Sequence, residues 1–368
     1  MQTTVNARAI AFYLPQFHPI PENDEWWGRG FTEWTNVAQA RPLFRGHYQP
    51  HIPADLGFYD LRLPETRQAQ AEMAWNYGIE GFCYWHYWYA GRQVLERPFE
   101  AVLNSGEPQF PFCLGWANHS WSKIWTGQPN VLLIEQTYPG LEDYKRHFYY
   151  LLRAFGDSRY VTVNGKPLLV VMRPRQIPNV RQMTDYWREL AHQAGLKGLY
   201  LVGCLLSHEQ LDSFGFDATT FPNHYLVPRN LPLNPYLRAC KRRLNKLLGR
   251  PDIFAYRDAL TFLLSDNLDK IDEHPCLFPN WDNTPRFGSQ GYLFHQSTPE
   301  LFGLHLGQAM AQILHKPLQE RLVFIKSWNE WAEGNHLEPD QRYGHRLLEE
   351  LRARIVRETL HPHSDGAQ

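Results

Sequence analysis

Apolar runs of strand length alternate along the chain with stretches of helical periodicity. "RAIAFYL" (8–14) opens the series, and a long Trp-rich loop separates it from a helical stretch over 64–77 that begins at Pro64. "IEGFCYWHYW" (79–88) follows, then a helix near 93–104, then "FPFCLGWAN" (110–118). "KPLLVVM" (166–172) precedes a helix over about 180–194, and "LYLVGCL" (199–205) and "FDATTFPNH" (216–224) come next. The pattern ends with a basic helical insertion around 236–265, "CLFPNWDN" (276–283), a helix near 299–316, "RLVFIKSWNE" (321–330) and a last helix from about 341. Continuously apolar strands are buried on both faces, and strand–helix alternation makes a parallel sheet.

Roughly eight such units predict an α/β fold, a (β/α)8 TIM-like barrel with long βα loops, as one unit over 1–368. No GxGxxG follows the first strand, which weighs against an open nucleotide-binding sheet. Barrels of this kind place their chemistry at the C-terminal ends of the strands. Those ends read "YLPQFH" (13–18), "YWHYW" (84–88), "WANHSW" (116–121), "FPNH" (221–224), "NWDNTPR" (280–286) and "WNEWAEG" (328–334). Nearly every polar-aromatic cluster of the chain falls there.

Composition narrows the classes. Charged residues are 20% and hydrophobic ones 43% of 368 residues, enough for a sizeable core, and the formal net charge of -1 favours neither nucleic acid nor an anionic surface as a global partner. No basic-then-apolar leader opens the sequence and no apolar run reaches membrane-spanning length. The five cysteines are scattered without a CxxC pair, which together with the missing leader points to the cytoplasm. Aromatics reach 14%, with 13 Trp, and many stand beside Gly, Asn, His and Asp. Aromatic faces next to hydrogen-bonding groups suit a sugar, with its C–H faces and hydroxyl edges; they also fill large cores.

Glu330 and Glu333 are three apart, so a helical turn after the last strand brings their Cβ atoms within roughly 5–6 Å. Paired carboxylates near that separation serve retaining glycoside chemistry, and close like charges raise one of the two pKa values. Trp328, Asn329 and Trp331 flank them. Asp282 and Arg286, beside Trp281, either bind hydroxyls and a charged partner or simply build an Asp-Asn-Thr-Pro turn. His86, His119 and His224 are read as hydroxyl contacts, since no spacing of a metal site is present and neither a metal nor a cofactor is expected. Tyr13, His18, Tyr84, Trp88, Trp116, Asn118 and Trp121 join them at strand ends. Trp26, Trp27, Glu33 and Trp34 lie in a loop that could be a lid or sugar platform. "RACKRRLNKLLGR" (238–250) has six basic residues and no acid, either a solvated helix face or a peripheral contact with a membrane or lipid-linked glycan.

"YLPQFHPIPENDEWWGRGFTEWTNV", "HYQPHIPADLGFYDLR", "GFCYWHYWYAGRQVLERP", "WDNTPR" and "SWNEWAEGNHLEPD" resemble the WbsX-type family. Its members are found with bacterial surface-polysaccharide biosynthesis genes and are often labelled glycosyltransferases. The resemblance runs from about residue 8 to 345. That family is similar in turn to glycoside hydrolase family 99, endo-α-mannosidases and endomannanases that are retaining (β/α)8 enzymes with a Glu-Trp-x-Glu element like "EWAE" here. The resemblance implies Glu330 as the base at the sugar 2-hydroxyl, giving a 1,2-anhydro sugar, and Glu333 as the general acid. One departure is notable: relatives carry acids where "WANHSWSKIWTG" has His119 and Thr126. Three functions follow as expectations. The first is a retaining hydrolase or transglycosidase of α-linked, mannose-like glycans on an oligosaccharide or lipid-linked substrate. The second is a glycosyltransferase of O-antigen or capsule biosynthesis, and the third a silent glycan-binding barrel.

Overall fold

The computed structural model describes residues 4–123, 128–230 and 235–357, so Thr126 lies outside the described residues. Among the latter, parallel strands close a (β/α)8 barrel. They are β1 (Arg8–Tyr13), β2 (Ile79–Tyr89), β3 (Phe112–Trp116), β4 (Lys166–Val171), β5 (Tyr200–Cys204), β6 (Ala218–Thr220), β7 (Glu273–His274 and Cys276–Leu277) and β8 (Leu322–Ile325). Neighbours in sequence are neighbours in space, with β8 beside β1. Closure happens at β7. Its first half pairs with β6 and its second half with β8, because Pro275 between them has no N–H to donate, while its carbonyl accepts from Phe324 N at 2.9 Å.

Helices α1 (Pro64–Asn76), α2 (Arg97–Ser105), α3 (Leu141–Phe155), α4 (Val180–Gln193), α5 (His208–Phe214), α6 (Tyr256–Leu263), α7 (Pro299–Ile313) and α8 (Arg346–Ile355) ring the barrel. In α4, Val180, Met183, Thr184, Trp187, Leu190 and Ala191 are buried, the i, i+3, i+4, i+7 stripe that drives a helix onto a sheet. α2 starts later than its sequence pattern suggests because Arg92–Val94 folds back as a short antiparallel strand on the end of β2. α3 and the hairpin Trp121–Lys123/Gln128–Ile134 have no counterpart in the sequence reading. The inward stripe of α3 includes His147 and Tyr144, polar letters that mask its periodicity. The basic insertion contains a helix, Pro235–Leu247, and a strand, Asp252–Ala255, that pairs with Tyr292–His295 in the loop after β7. No helix among the described residues is long and apolar enough to cross a membrane.

Alternation along the strands sorts side chains into two layers. Phe12 stacks on Trp85 at 4.5 Å and faces Phe324 at 5.5 Å, filling the barrel interior. Gly115 lies opposite, where an added Cβ would come within 2.9 Å of the Trp85 ring. The other parity, Tyr13, Phe82, Tyr84 and Phe112, packs outward against Phe99 of α2 and against Trp328. That sorting decides which strand-end residues reach the mouth.

Candidate active site

β8 carries its inward parity through Phe324 to Lys326, which therefore stands at the C-terminal mouth. The chain then forms a short ladder, Asn329–Glu330 against Asn335–His336, closed by a 3₁₀ turn over Trp331–Glu333. With three residues per turn, positions i and i+3 eclipse, which puts Glu330 and Glu333 on one side. Gly334 ends the turn at φ 58°, where a Cβ would lie 2.9 Å from Asp282 Cβ. Ser327 Oγ accepts from Glu330 N at 2.8 Å and donates to Asn335 O at 2.7 Å. Asn329 exchanges two bonds with the Leu14 backbone. Below the turn, the buried carboxylate of Glu338 accepts from Trp331 Nε1 at 2.6 Å, Gln70 Nε2 at 2.6 Å and Tyr59 OH at 2.8 Å.

Five charged groups meet above this frame. Lys326 Nζ contacts Glu330 and lies 2.9 Å from Glu333 Oε2. Arg286 donates to Glu333 Oε1 at 2.5 Å and, from Nε and Nη2, to Glu33 Oε1 at 2.9 and 2.5 Å. Gln16 Nε2 holds the other Glu33 oxygen at 3.2 Å. Three acids and two cations leave one negative charge too many in a site where the Glu330 and Glu333 side chains are 9% and 14% exposed. One proton settles it. Burial, then the Glu333 charge, pushes Glu330 up to about 7. Burial also opposes Glu333's charge, but Lys326 and Arg286 outweigh it and hold that acid well below the usual carboxylate range, with Glu330 hydrogen-bonded to it. Burial of Lys326 is likewise outweighed by Glu330 and Glu333, so it stays charged. With Glu330 raised to about 7 and Glu333 held ionised, the pair gains and loses a single proton around neutral pH.

Around the pair stand Tyr87, Tyr292, His224 and Trp281. The Tyr87 hydroxyl is raised by burial and then by Glu330, and that of Tyr292 by burial and then by Glu333. Burial, then Lys326, keeps His224 neutral, down to about 3. Lys326 Nζ sits 5.3 Å from the Trp281 ring centroid. Among the described residues, buried His224 Nδ1, Trp281 Nε1 and His119 Nδ1 have no hydrogen-bond partner within the protein. Trp26 and Trp121, both partly exposed, pack edge-on at 5.7 Å, and Trp121 meets Tyr87 at 5.1 Å.

The sequence-derived candidates therefore divide. The fold brings together Glu330, Glu333, Glu33, Arg286, His224 and Trp281, with Trp26 and Trp121 beside Tyr87. Others are corrected by their strand parity. Tyr13 donates to Gln70 at 2.6 Å on α1, and Tyr84 packs on Phe99. His86, Trp88 and Trp116 gather on His147 of α3, with Trp116 also on Trp187 of α4. The indoles taken to wall the acids, Trp328 and Trp331, are 0% and 1% exposed and pack inside the protein. Trp34 donates to Tyr59 O at 2.8 Å and packs on Trp331, and Trp27 lies on Phe31. Asn118 and Asn329 are spent on backbone groups. His18 turns Nδ1 to the Pro15 carbonyl. Asp282 is buried under His47, Gln49 and Thr284 at 2.6–2.8 Å, a loop anchor. Sequence reasoning missed Lys326 and Tyr87, although two-residue alternation from Phe324 and Trp85 points to both.

The α/β barrel is a fold shared with glycosidase structures. A structure titled glycoside hydrolase-like protein is similar at TM-score 0.61, 17% identity and coverage of 96% of this chain and 95% of that one. The GH99 endo-alpha-mannosidase from Bacteroides thetaiotaomicron is similar at TM-score 0.52 and 14% identity over 95% and 96%. The model of the family described as Glycosyltransferase WbsX matches residues 9–351, and the chain belongs to that family. WxcX, an uncharacterized protein of Xanthomonas campestris pv. campestris strain B100, is 37% identical over 357 residues, 96% of this chain. The chain spans about half the length of the curated relatives it matches, 50% of each.

Proposed function

We propose that this chain is a carbohydrate-active enzyme that breaks α-linked, mannose-like glycosidic bonds of a surface polysaccharide with retention, passing the sugar to water or an alcohol. The observation that carries it is the Glu330–Glu333 pair, which holds one proton between Lys326 and Arg286 at the barrel mouth. Retaining chemistry needs one protonated and one ionised carboxyl, and a pair with one acid raised and its partner lowered supplies both. Likeness in fold to an enzyme titled endo-alpha-mannosidase supports the substrate class.

Burial and the Glu333 charge raise Glu330, and the two cations lower Glu333, which favours the reverse of the loading that the Glu-Trp-x-Glu resemblance implies. The two loadings differ by one proton hop across the hydrogen bond joining the acids. In the reactive loading Glu333 is the acid: it protonates the leaving oxygen as the glycosidic bond breaks, while Glu330 takes the 2-hydroxyl proton and that oxygen closes on the anomeric carbon. Water or an alcohol then opens the 1,2-anhydro sugar, with Glu333 as base and the 2-oxygen regaining its proton from Glu330. Trp26, Trp121 and Tyr87 form the aromatic side of the mouth, and His224 and Trp281 stand beside Lys326, each with a buried ring N atom left without a partner among the described residues.

The test is incubation of α-linked polysaccharide fragments and lipid-linked precursors in ¹⁸O-water, read by mass spectrometry. Label at new reducing ends supports hydrolysis, and unlabelled products joined to an added alcohol support transglycosylation. Aryl glycosides with good leaving groups assign the roles: they restore turnover to Glu333→Gln and not to Glu330→Gln, and the opposite rescue moves the acid to Glu330. The family's glycosyltransferase description supports a second reading, transfer from an activated donor, for which product formation requires that donor. Uncut glycan bound equally by wild type and both glutamine variants would make the barrel a binding module.

A further inference from the structure

Beside the acid pair, a second cluster joins two loops that the proposed reaction does not use. His51 follows β1, and His336 and Asp340 follow β8; all three are buried. One nitrogen of each histidine and one Asp340 oxygen lie within 4.8 Å of one another. The facing nitrogens, His51 Nδ1 and His336 Nε2, are 2.9 Å apart. His336 Nδ1 is 2.9 Å from the Glu338 carbonyl, which only accepts, so Nδ1 carries hydrogen and Nε2 presents a bare lone pair. An imidazole whose far nitrogen donates to a backbone carbonyl is arranged as metal-binding histidines are. Asp340 Oδ1 accepts from Arg342 N at 3.0 Å and Tyr343 N at 2.7 Å, fixing the carboxylate. The cluster lines a cavity of about 30 Å³, room for an ion and a water.

We propose that His51, His336 and Asp340 form a binding site for a divalent transition-metal ion of the zinc class. Two neutral imidazoles and a carboxylate with a fourth position open to the cavity match what zinc takes. A tetrahedral ion at about 2.0–2.1 Å from each ligand sets the ligand atoms roughly 3.3 Å apart, so the two imidazoles open by a few tenths of an ångström and the Asp340 oxygen, within 4.8 Å of them, comes to the same distance. Binding moves the His51 proton from Nδ1 to Nε2 and releases none. Asp282 and Asp340 attract the ion, and Arg342, also lining the cavity, opposes it. The His86–His147 pair, likewise 2.9 Å apart, packs on aromatic rings, belongs to no such three-ligand group among the described residues, and serves as the built-in contrast. Such an ion would pin the loop whose His336 stacks on Trp331 at 3.7 Å, between the two catalytic acids in sequence.

The test uses tag-free full-length protein, stripped with chelator and titrated with zinc chloride, with metal content read by elemental mass spectrometry. One equivalent of zinc is expected, with at least tenfold weaker binding in both His51→Ala and Asp340→Asn and unchanged binding in His147→Gln. Cobalt chloride added to the wild type gives visible d–d bands of a low-coordinate site without any variant having to fold. Absence of those bands together with less than stoichiometric zinc, or zinc retained in full by both ligand variants, overturns the proposal. Neither readout depends on glycoside chemistry.

Discussion

The mouth cluster and the layer between sheet and helices α3 and α4 use the same residue types to opposite ends. At the mouth, Glu330, Glu333, Glu33, Lys326 and Arg286 keep charge in a nearly dry place, each acid held by a cation. In the outer layer His86, His147, Trp88, Trp116 and Trp187 stack with no carboxylate between the histidines, and burial drives His86 down to about 3 and His147 well below its usual value. Glu330 at the mouth and His86 in the outer layer therefore answer pH in opposite senses. Glu330 is raised from 4.5 to about 7, so its contribution to stability is complete below 4.5 and lost as pH rises through 7. The His86 value is lowered from 6.5, so its contribution is complete above 6.5 and lost as pH falls towards 3. Polar aromatic letters mark function only where the fold supplies them with opposite charges and an opening.

The sharpest way to break this contrast is Glu333→Gln. It should lower turnover by at least about 10²–10⁴-fold while the melting temperature stays near wild type, as steady-state kinetics and calorimetry would reveal. Trp187→Ala should do the reverse, costing about 3–5 kcal/mol in denaturant unfolding with turnover per folded molecule unchanged. A comparable loss of turnover from Trp187→Ala would dissolve the distinction. Next in size is Lys326→Met. Both acids lose a cation that lowers their pKa, so the pair keeps its proton to higher pH, and the basic limb of the rate profile, expected near 7, should move upward. An unmoved limb would remove Lys326 from the proton balance. Trp121→Ala should raise KM by about 10-fold or less with little effect on stability, the size of one lost stacking face. The smallest effect concerns the helix Pro235–Leu247, where Tyr236, Leu244 and Leu247 are exposed beside Arg242 and Arg243. We propose a peripheral membrane contact there. Leu247→Asp should weaken flotation with phosphatidylglycerol vesicles, and equal flotation would leave a solvated face.

The alternation of apolar runs and helical stripes was sufficient, by itself, to determine the barrel, the order of its strands and the placing of Glu330 and Glu333 after the last one. These are local properties: side-chain period, turn chemistry and three-residue spacing act within a few residues. Only the tertiary structure decided which parity of each strand faces the barrel axis, because strands buried on both faces carry apolar and aromatic residues at both parities. That one choice sent Tyr13, Tyr84, His86, Trp88 and Trp116 to the helix layer and brought Tyr87 and Lys326 to the mouth. It also decided the pairings of Arg286 with Glu33 and Glu333 and of His51 with His336. Such partners lie hundreds of residues apart in some cases, and nothing in a local pattern encodes which distant charge will settle a buried one.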